Sequence, residues 1–227
     1  MRRLWTQVVA ALAAVTGWRI FKPAVFLACL APAAILAYGL CRIFLWDQAD
    51  ALGPDPATFV LHETGRDALS LLLITLSITP LRRLLKLNRL QAVRRMLGVW
   101  AFAYGLLHLL AYLVFNQNCF SWEACEFDAI WTDLTKRPFI FVGMLTFSLL
   151  LPLAVTSTNG WVRRLKKRWQ TLHRLAYVAA VTGIIHFAWG QKADVSEPIR
   201  WAGYLAVLFA IRLYFAYRKR QVALRTT

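Results

Sequence analysis

The sequence predicts an all-α membrane protein with six transmembrane helices and with both termini in the cytoplasm. Hydrophobic residues make up 59% of the 227 residues and charged residues only 17%, which is less charge than a soluble domain of this size carries. Several apolar stretches reach the ~20 residues that a helix needs to cross about 30 Å of hydrocarbon. No polar stretch between them is long enough to build a separate soluble core.

The six predicted spans alternate in direction, starting outward from a cytoplasmic N-terminus. We interpret the first as a retained helix rather than a signal peptide, because its apolar run and its basic leader are both too long for one. The second has the shortest apolar core and ends at a proline followed by two arginines, and the fourth begins at Pro138. The predicted spans are residues 23–46, 64–81, 96–115, 138–155, 172–190 and 199–217.

The distribution of charge sets the predicted orientation. All 11 acidic residues fall in the segments 47–67, 123–133 and 194–197, whereas the basic clusters fall in the alternate segments, 2–22, 82–95, 163–174 and 218–225. Basic residues near span ends mark the cytoplasmic side of a membrane. The net charge of +16 therefore reflects topology and attraction to anionic lipid, and we expect no nucleic-acid partner, because no recognition motif accompanies it.

Three of the four histidines lie inside apolar runs, where an unpaired imidazole is costly. His108 lies about 12 Å below the outer boundary of the third span, and His186 lies about 7–8 Å below the same boundary of the fifth. Because these spans run in the same direction, the two imidazoles can ligate one haem iron from opposite faces. The haem is expected to be b-type and noncovalent, since no Cys-x-x-Cys-His motif is present.

The other two histidines do not join this pair. His173 is expected to share a helix with His186, about 20 Å further along it, and to point roughly 140° away on an ideal helix. No histidine stands at its depth on the third span, so a second haem with one unusual ligand, a flavin or a quinone contact all stay open for His173. His62 stands at the outer entry to the second span, where it can contact a haem propionate or cap the helix alongside Thr64. Arg66 and Asp67 are expected to pair beside it.

Several short motifs occur together in an order and spacing that resemble one family. The chain resembles the MsrQ (YedZ) family of haem-binding membrane subunits, within the ferric-reductase-like transmembrane group, from about residue 23 to residue 217. The motifs are HETGR at 62–66, ITPLR at 78–82, RRMLG at 94–98 with His108 following, KRP at 136–138, TST at 156–158, and WQTLHRLAY at 169–177 with His186 after it.

The resemblance implies a bacterial inner-membrane subunit that carries electrons without a catalytic residue of its own. It implies a b-haem on His108 and His186, a further ligand candidate in His173, an FMN, an electron supply from the quinone pool, and a periplasmic molybdopterin partner that reduces methionine sulfoxide in oxidised proteins. The chain then divides into a basic cytoplasmic N-terminus (1–22), a six-span haem-binding domain (23–217) and a basic cytoplasmic tail (218–227). We expect no NADPH oxidation by this chain, since it lacks a Gly-x-Gly-x-x-Gly motif.

Polar residues at the two membrane faces complete the candidate sites. Arginine favours phosphate and carboxylate groups, so the cytoplasmic arginines are candidates for an FMN phosphate or a haem propionate. At the outer face, Cys119 and Cys125 flank a short loop in an oxidising compartment and can form a disulfide, with two free thiols as the alternative. The arginine candidates are Arg82, Arg83, Arg94, Arg95 and Arg164.

Two other functions remain open on the sequence. The first is a quinol-linked or ferric-reductase-like cytochrome that serves a different electron acceptor. The second is a small transporter whose histidines relay protons, because ionisable residues inside a membrane also mark proton pathways. A Soret absorption band separates both cytochrome hypotheses from the transporter.

Overall fold

In the computed structural model, the described residues, 18–121, 123–191 and 194–225, form α-helices joined by short turns, with no β-strand among them. Most of the predicted N-terminal segment, residues 1–17, and the end of the tail, residues 226 and 227, lie outside the described residues. The helices are α1 (Trp18–Trp46), α2 (Pro56–Leu85), α3 (Gln91–Ala111), α4 (Phe127–Lys136), α5 (Pro138–Val155), α6 (Asn159–Leu165), α7 (Lys167–Leu172), α8 (Leu175–Gly190) and α9 (Ser196–Arg225).

Within the described chain, five helical segments are long and apolar enough to cross a membrane. They contain α1, α2, α3, α5 and α9, so the protein is a multi-pass membrane protein. The fourth predicted span coincides with α5, residue for residue. The fifth predicted span corresponds to α8, which has only 16 residues and is shorter than the other five.

The second helix begins eight residues earlier than the sequence predicts. Asp55 caps its N-terminus by accepting a hydrogen bond from the backbone N–H of Thr58 at 3.1 Å, and Pro56 occupies the first turn, where proline is favoured. The interpretation of His62 and Thr64 as a helix cap is therefore wrong. Both residues lie inside α2, and the Thr64 hydroxyl donates to the carbonyl of Val60.

The core lies between α2, α3, α5, α8 and α9. It combines leucines with small residues, and Leu73, Ala101, Ala179 and Ala180 are completely buried. Alanine at helix contacts lets backbones approach closely, which is how membrane helices gain packing energy where lipid is as apolar as protein. The fold therefore holds α2 against α3, and α5 against α8, as two close helix pairs.

Tyr104 on α3 ties the first helix to this core. Its hydroxyl donates to the carbonyl of Cys29 at 2.7 Å and accepts from the N–H of Ala33 at 2.9 Å, so it stands between two groups that normally bond each other in a helix. Pro32 lies next to this insertion and supplies no N–H of its own. The polar tip of a fully buried tyrosine is thereby satisfied inside the bundle.

Candidate functional site

The structure brings His108 and His186 together. His108 lies near the C-terminal end of α3 and His186 near the C-terminal end of α8, and their ring centres are 6.0 Å apart with an angle of 79° between the planes. The sequence predicts that the two histidines lie at a similar depth, and in the structure their rings also lie close together. A helix contributes each ring, so the site rests on rigid elements.

Each imidazole is held through the same ring nitrogen. The Nδ1 atom of His108 lies 2.9 Å from the carbonyl oxygen of Leu61, and the Nδ1 atom of His186 lies 2.6 Å from that of Phe139. A carbonyl only accepts, so each Nδ1 carries the proton and donates it. The Nε2 atoms are then unprotonated, and neither has a hydrogen-bond partner among the residues the structure describes. A neutral imidazole with an anchored Nδ1–H is the form that binds metals.

Two glycines make room for these rings. A β-carbon added at Gly65 on α2 would lie 2.9 Å from Nδ1 of His108, and one added at Gly143 on α5 would lie 2.7 Å from Cε1 and Nδ1 of His186. Carbon atoms do not approach ring atoms that closely without a shift. Both positions therefore require the absence of a side chain if the histidines are to keep their places.

The two halves of the site follow one internal repeat that is hard to see in the sequence. In each half, the histidine and the carbonyl that holds it are separated by 47 residues. In each half a glycine follows the carbonyl by one helical turn, and another glycine precedes the histidine by three residues. The equivalent positions, 78 residues apart, are Leu61 and Phe139, Gly65 and Gly143, Gly105 and Gly183, and His108 and His186.

A cavity of about 930 Å³ opens beside the two rings. This is at the upper end of the volume range for ligand sites, and its wall is mostly apolar, as cofactor sites usually are. Its polar residues include His62, Arg66 and Glu197. Arg66 donates to Glu63 at 2.9 Å and to Glu197 at 2.7 Å, so it links α2 to α9 and does not pair with Asp67 as expected.

The distance between the two rings is compatible with both imidazoles binding one metal ion. Metal–imidazole bonds of about 2.0–2.1 Å, added to the radius of each ring, place the centres of two rings on one metal about 6 Å apart. The observed separation is 6.0 Å. Anchored Nδ1 atoms, free Nε2 atoms and a large apolar cavity together fit the requirements of a noncovalent haem. Within the described chain no cluster of three or more His, Cys, Asp or Glu residues offers another metal site.

His173 lies away from this pair, at the other end of the bundle. It does not share a helix with His186, because α7 ends at Leu172 and α8 begins at Leu175, so His173 stands at the joint between them. Its ring stacks on Trp169 with 3.8 Å between centres, and its Nδ1 lies 3.1 Å from the Trp169 carbonyl. Its Nε2 is buried and makes no hydrogen bond of normal geometry with a described residue, although the ring is close enough to the Leu153 backbone to interact with it.

The predicted arginine contacts divide between two kinds of environment. Arg83 lies over the ring of Phe215 and Arg164 over the ring of Trp161, each at 5.6 Å, as in cation–π contacts. Arg94 is partly buried and close enough to interact electrostatically with His173 and with Arg82. Arg95, its neighbour in α3, is exposed.

The loop after α3 is tied back to the helix that carries His108. Cys119 and Cys125 are bonded to each other in the structure. Asp133, which is only 9% exposed, accepts hydrogen bonds from Tyr112 and Gln117, each at 2.8 Å, and pairs with Arg137 at 3.1 Å. A π-helical turn, Tyr112–Asn116, ends α3 and presents Tyr112 to this network.

The sequence analysis missed two polar residues inside the bundle, the buried Tyr104 and the half-buried Arg212. The arginine lies in α9, where it donates to the Tyr177 hydroxyl at 2.6 Å and to the carbonyl of Leu76. A single arginine inside an apolar run of the last span was the available signal, because ionisable residues inside a membrane are usually functional.

Comparison with known proteins gives consistent results. A family profile described as "Ferric reductase like transmembrane component" matches residues 64–184. A protein of Xanthomonas axonopodis pv. citri is 43% identical over 205 residues, which cover 90% of each chain. One of Xanthomonas campestris pv. campestris (strain 8004) is 45% identical over 208 residues, 91% of this chain and 89% of the relative.

A third relative, from Herminiimonas arsenicoxydans, is 45% identical over 191 residues, which cover 83% of this chain and 84% of the relative. All three carry the name "Protein-methionine-sulfoxide reductase heme-binding subunit MsrQ". No solved structure matches the chain significantly.

Proposed function

The chain belongs to the MsrQ family of ferric-reductase-like membrane proteins, and we propose that it is a b-type cytochrome serving a periplasmic methionine-sulfoxide reductase. The observation that carries the proposal is the pair of anchored imidazoles, His108 and His186, beside a large apolar cavity. Two neutral imidazoles suit a six-coordinate iron that carries electrons rather than one that binds oxygen.

The residues around the pair have separate roles in this proposal. His108 and His186 hold the haem iron through Nε2, and the carbonyls of Leu61 and Phe139 fix the tautomer and the ring orientation. Gly65 provides clearance beside the first of these rings, as its counterpart on α5 does beside the second. When bound, the haem supplies one-electron transfer. The apolar wall excludes water from the site.

The proposed topology places α8 in the membrane as the sixth span. Its 16 residues extend about 24 Å, which is short for a bilayer of about 30 Å but feasible with the flanking helix α7 and with local thinning. Six spans put both termini in the cytoplasm, with residues 1–22 and 218–227 as basic flanking segments around the haem-binding domain, 23–217. The paired histidines then lie near the periplasmic face and His173 near the cytoplasmic face.

Electrons are proposed to enter from the cytoplasmic half, with membrane quinol as the donor and FMN as a further cofactor. His173 is the candidate residue at this level, because its buried Nε2 has no hydrogen-bond partner among the described residues. Arg94 lies beside it and offers positive charge to a phosphate or a carboxylate. Arg82 and Arg83 lie near the same end, in the last turn of α2.

The proposed exit is the outer loop and α4, where a periplasmic molybdopterin subunit would bind. Phe120, Phe127 and Trp131 are 72%, 50% and 67% exposed. Exposed acidic side chains accompany them, at Glu123 and Asp128 among others. Aromatic anchors surrounded by one sign of charge are typical of binding surfaces for a partner of opposite charge. The Asp133 network connects this surface to α3 only four residues beyond His108.

Absorption spectroscopy of three purified proteins tests the haem assignment. The wild type should show a Soret band, and His186→Ala should lose most of it because the iron loses an axial ligand. Val181→Ala is the matched control, since Val181 lies on the same helix as His186 but is 39% exposed and does not line the cavity. A wild type without a Soret band after haem-sufficient expression would remove the proposal and leave the proton-relay transporter. An unchanged spectrum in His186→Ala would contradict the ligand assignment.

A further inference from the structure

Arg212 lies in the middle of α9, and one N–H donor of its guanidinium group makes no hydrogen bond with a described residue. One terminal nitrogen donates to the Tyr177 hydroxyl at 2.6 Å, the other donates to the Leu76 carbonyl, and the guanidinium carbon lies 4.9 Å from the centre of the Tyr177 ring. The Nε atom is buried and has no hydrogen-bond partner. These contacts fix Arg212 between α2, α8 and α9 without neutralising its charge.

The neighbours of Arg212 lie at one level of the bundle, opposite the paired histidines. Leu76 follows Leu61 by 15 residues on α2, Arg94 precedes His108 by 14 residues on α3, and His173 precedes His186 by 13 residues. At about 1.5 Å per residue, all three separations come to about 20–22 Å. Two continuous helices, α2 and α3, therefore give the same depth for this second level, and His173, just before the start of α8, lies close to it.

Charge at this level is entirely positive. Arg212 is close enough to Arg94 and to Arg83 for electrostatic repulsion. Every acidic residue of the chain lies in the segments 47–67, 123–133 and 194–197, which are at the opposite end of the bundle. Arg94 makes no hydrogen bond or ion pair with a described residue. Arg212 lies inside the sixth predicted span, where a cation is costly unless an anion accompanies it.

Unpartnered buried polar atoms concentrate at the same level. Three buried side-chain atoms have no hydrogen-bond partner among the described residues: Oγ1 of Thr79, Nε2 of His173 and Nε of Arg212. Thr79 is less than one helical turn beyond Leu76, the carbonyl that Arg212 contacts. Buried polar groups are normally satisfied, so the three together indicate that a bound group is needed to complete this region.

We propose that Arg212, positioned by Tyr177 and accompanied by Arg94, binds the oxyanion of a redox cofactor at this level, either a haem propionate or the phosphate of FMN. The inference rests on the proposed electron-transfer function and adds a binding residue on α9. Guanidinium groups bind carboxylates and phosphates through charge-assisted hydrogen bonds, and the free Nε–H is a donor of this kind. The oxyanion would neutralise a cluster that the protein leaves unpaired.

Cofactor content of purified full-length variants tests the inference. The informative variant is Arg212→Gln, which keeps a polar side chain of similar length, and the matched control is Arg220→Gln, an exposed arginine further along the same helix. Haem per protein is measured as the pyridine haemochrome, and FMN is measured by fluorescence after extraction. Losing a charge-assisted hydrogen bond should weaken binding about tenfold or more.

The expected result is that Arg212→Gln loses FMN or a second haem, whichever the site holds, while the Soret band of the His108–His186 haem persists. Arg220→Gln should match the wild type in both measurements. If Arg212→Gln does not fold, Tyr177→Phe serves instead, because it removes only a hydroxyl that positions the guanidinium. Tyr177→Phe should weaken binding of the same cofactor, but less than Arg212→Gln does.

Three results would overturn the inference. The first is a wild type that contains one haem and no FMN. The second is unchanged cofactor content and affinity in Arg212→Gln. The third is loss of a copurifying phospholipid alone, which would make the oxyanion a lipid phosphate. Each differs from failure of the proposed function, in which the wild type has no Soret band.

Discussion

Replacing Gly143 with alanine adds one methyl group beside His186, and this should weaken or abolish haem binding. The new β-carbon would lie 2.7 Å from Cε1 and Nδ1 of His186 and 3.2 Å from its Nε2. Ordinary contacts begin near 3.5 Å, so the ring must retreat by roughly 0.8 Å. The hydrogen bond to the Phe139 carbonyl, 2.6 Å long in the wild type, would be stretched or broken by that movement.

The magnitude follows from two separate costs. Losing a hydrogen bond at a buried polar group costs about 1–3 kcal/mol, and an off-rotamer ring adds about 0.5–1.5 kcal/mol. Together they correspond to a loss of haem affinity of at least about tenfold. The helix itself gains about 1 kcal/mol from a change of glycine to alanine, so weaker helix formation cannot explain a loss of haem.

Haem occupancy by pyridine haemochrome and the reduced absorption spectrum are the appropriate measurements. Gly65→Ala should behave like Gly143→Ala, because its β-carbon would meet His108 at 2.9 Å. Gly98→Ala is the control, since that glycine also lies between packed helices but its β-carbon would meet only Thr75, at an ordinary 3.7 Å. The reasoning is refuted if Gly143→Ala and Gly98→Ala bind haem with the same affinity and show the same spectrum.

Two further predictions concern parts of the molecule outside the haem cavity. Tyr104→Phe removes the hydroxyl that joins α3 to α1, and it should lower the free energy of unfolding in detergent by about 1–3 kcal/mol. Tyr214→Phe is the control, because Tyr214 is 57% exposed and its replacement should change the free energy of unfolding little. Equal melting behaviour of the two variants would argue against the bridge. Trp131→Ala should slow re-oxidation of the reduced protein by the periplasmic reductase without changing the Soret band, and Tyr38→Ala, another exposed aromatic, should not. A rate equal to that of the wild type would contradict the docking surface.

Helix positions were well predicted where apolar length alone decides them. The span that begins at Pro138 was predicted to the residue, because proline at its start and a turn at its end interrupt the apolar run. The start of α2 was missed, since His62 and Glu63 interrupt the apolar run and do not read as membrane sequence. Asp55 followed by Pro56 was a local signal for that start.

The break between α7 and α8 at His173 is a feature that the apolar pattern did not predict. No proline or glycine interrupts residues 172–182, so the sequence predicts a single helix that carries both histidines. The structure divides it there, and Trp169 stacks on the His173 ring across the joint. Whether the helix continues or breaks at this point depends on how side chains pack, and hydrophobic periodicity does not report that packing.

The sequence by itself determined the helical membrane class and the alternation of acidic and basic loops. It also predicted a similar depth for His108 and His186, because hydrocarbon thickness and the rise of a helix convert residue counts into depth. Only the tertiary structure decided which groups meet. The carbonyls that hold each imidazole, the glycines that clear space for the rings, the repeat that relates the two halves, and the partners of Arg212 all depend on helix contacts between distant segments. Such contacts are set by how side chains interlock across helices, and a single sequence records the residues without recording their neighbours.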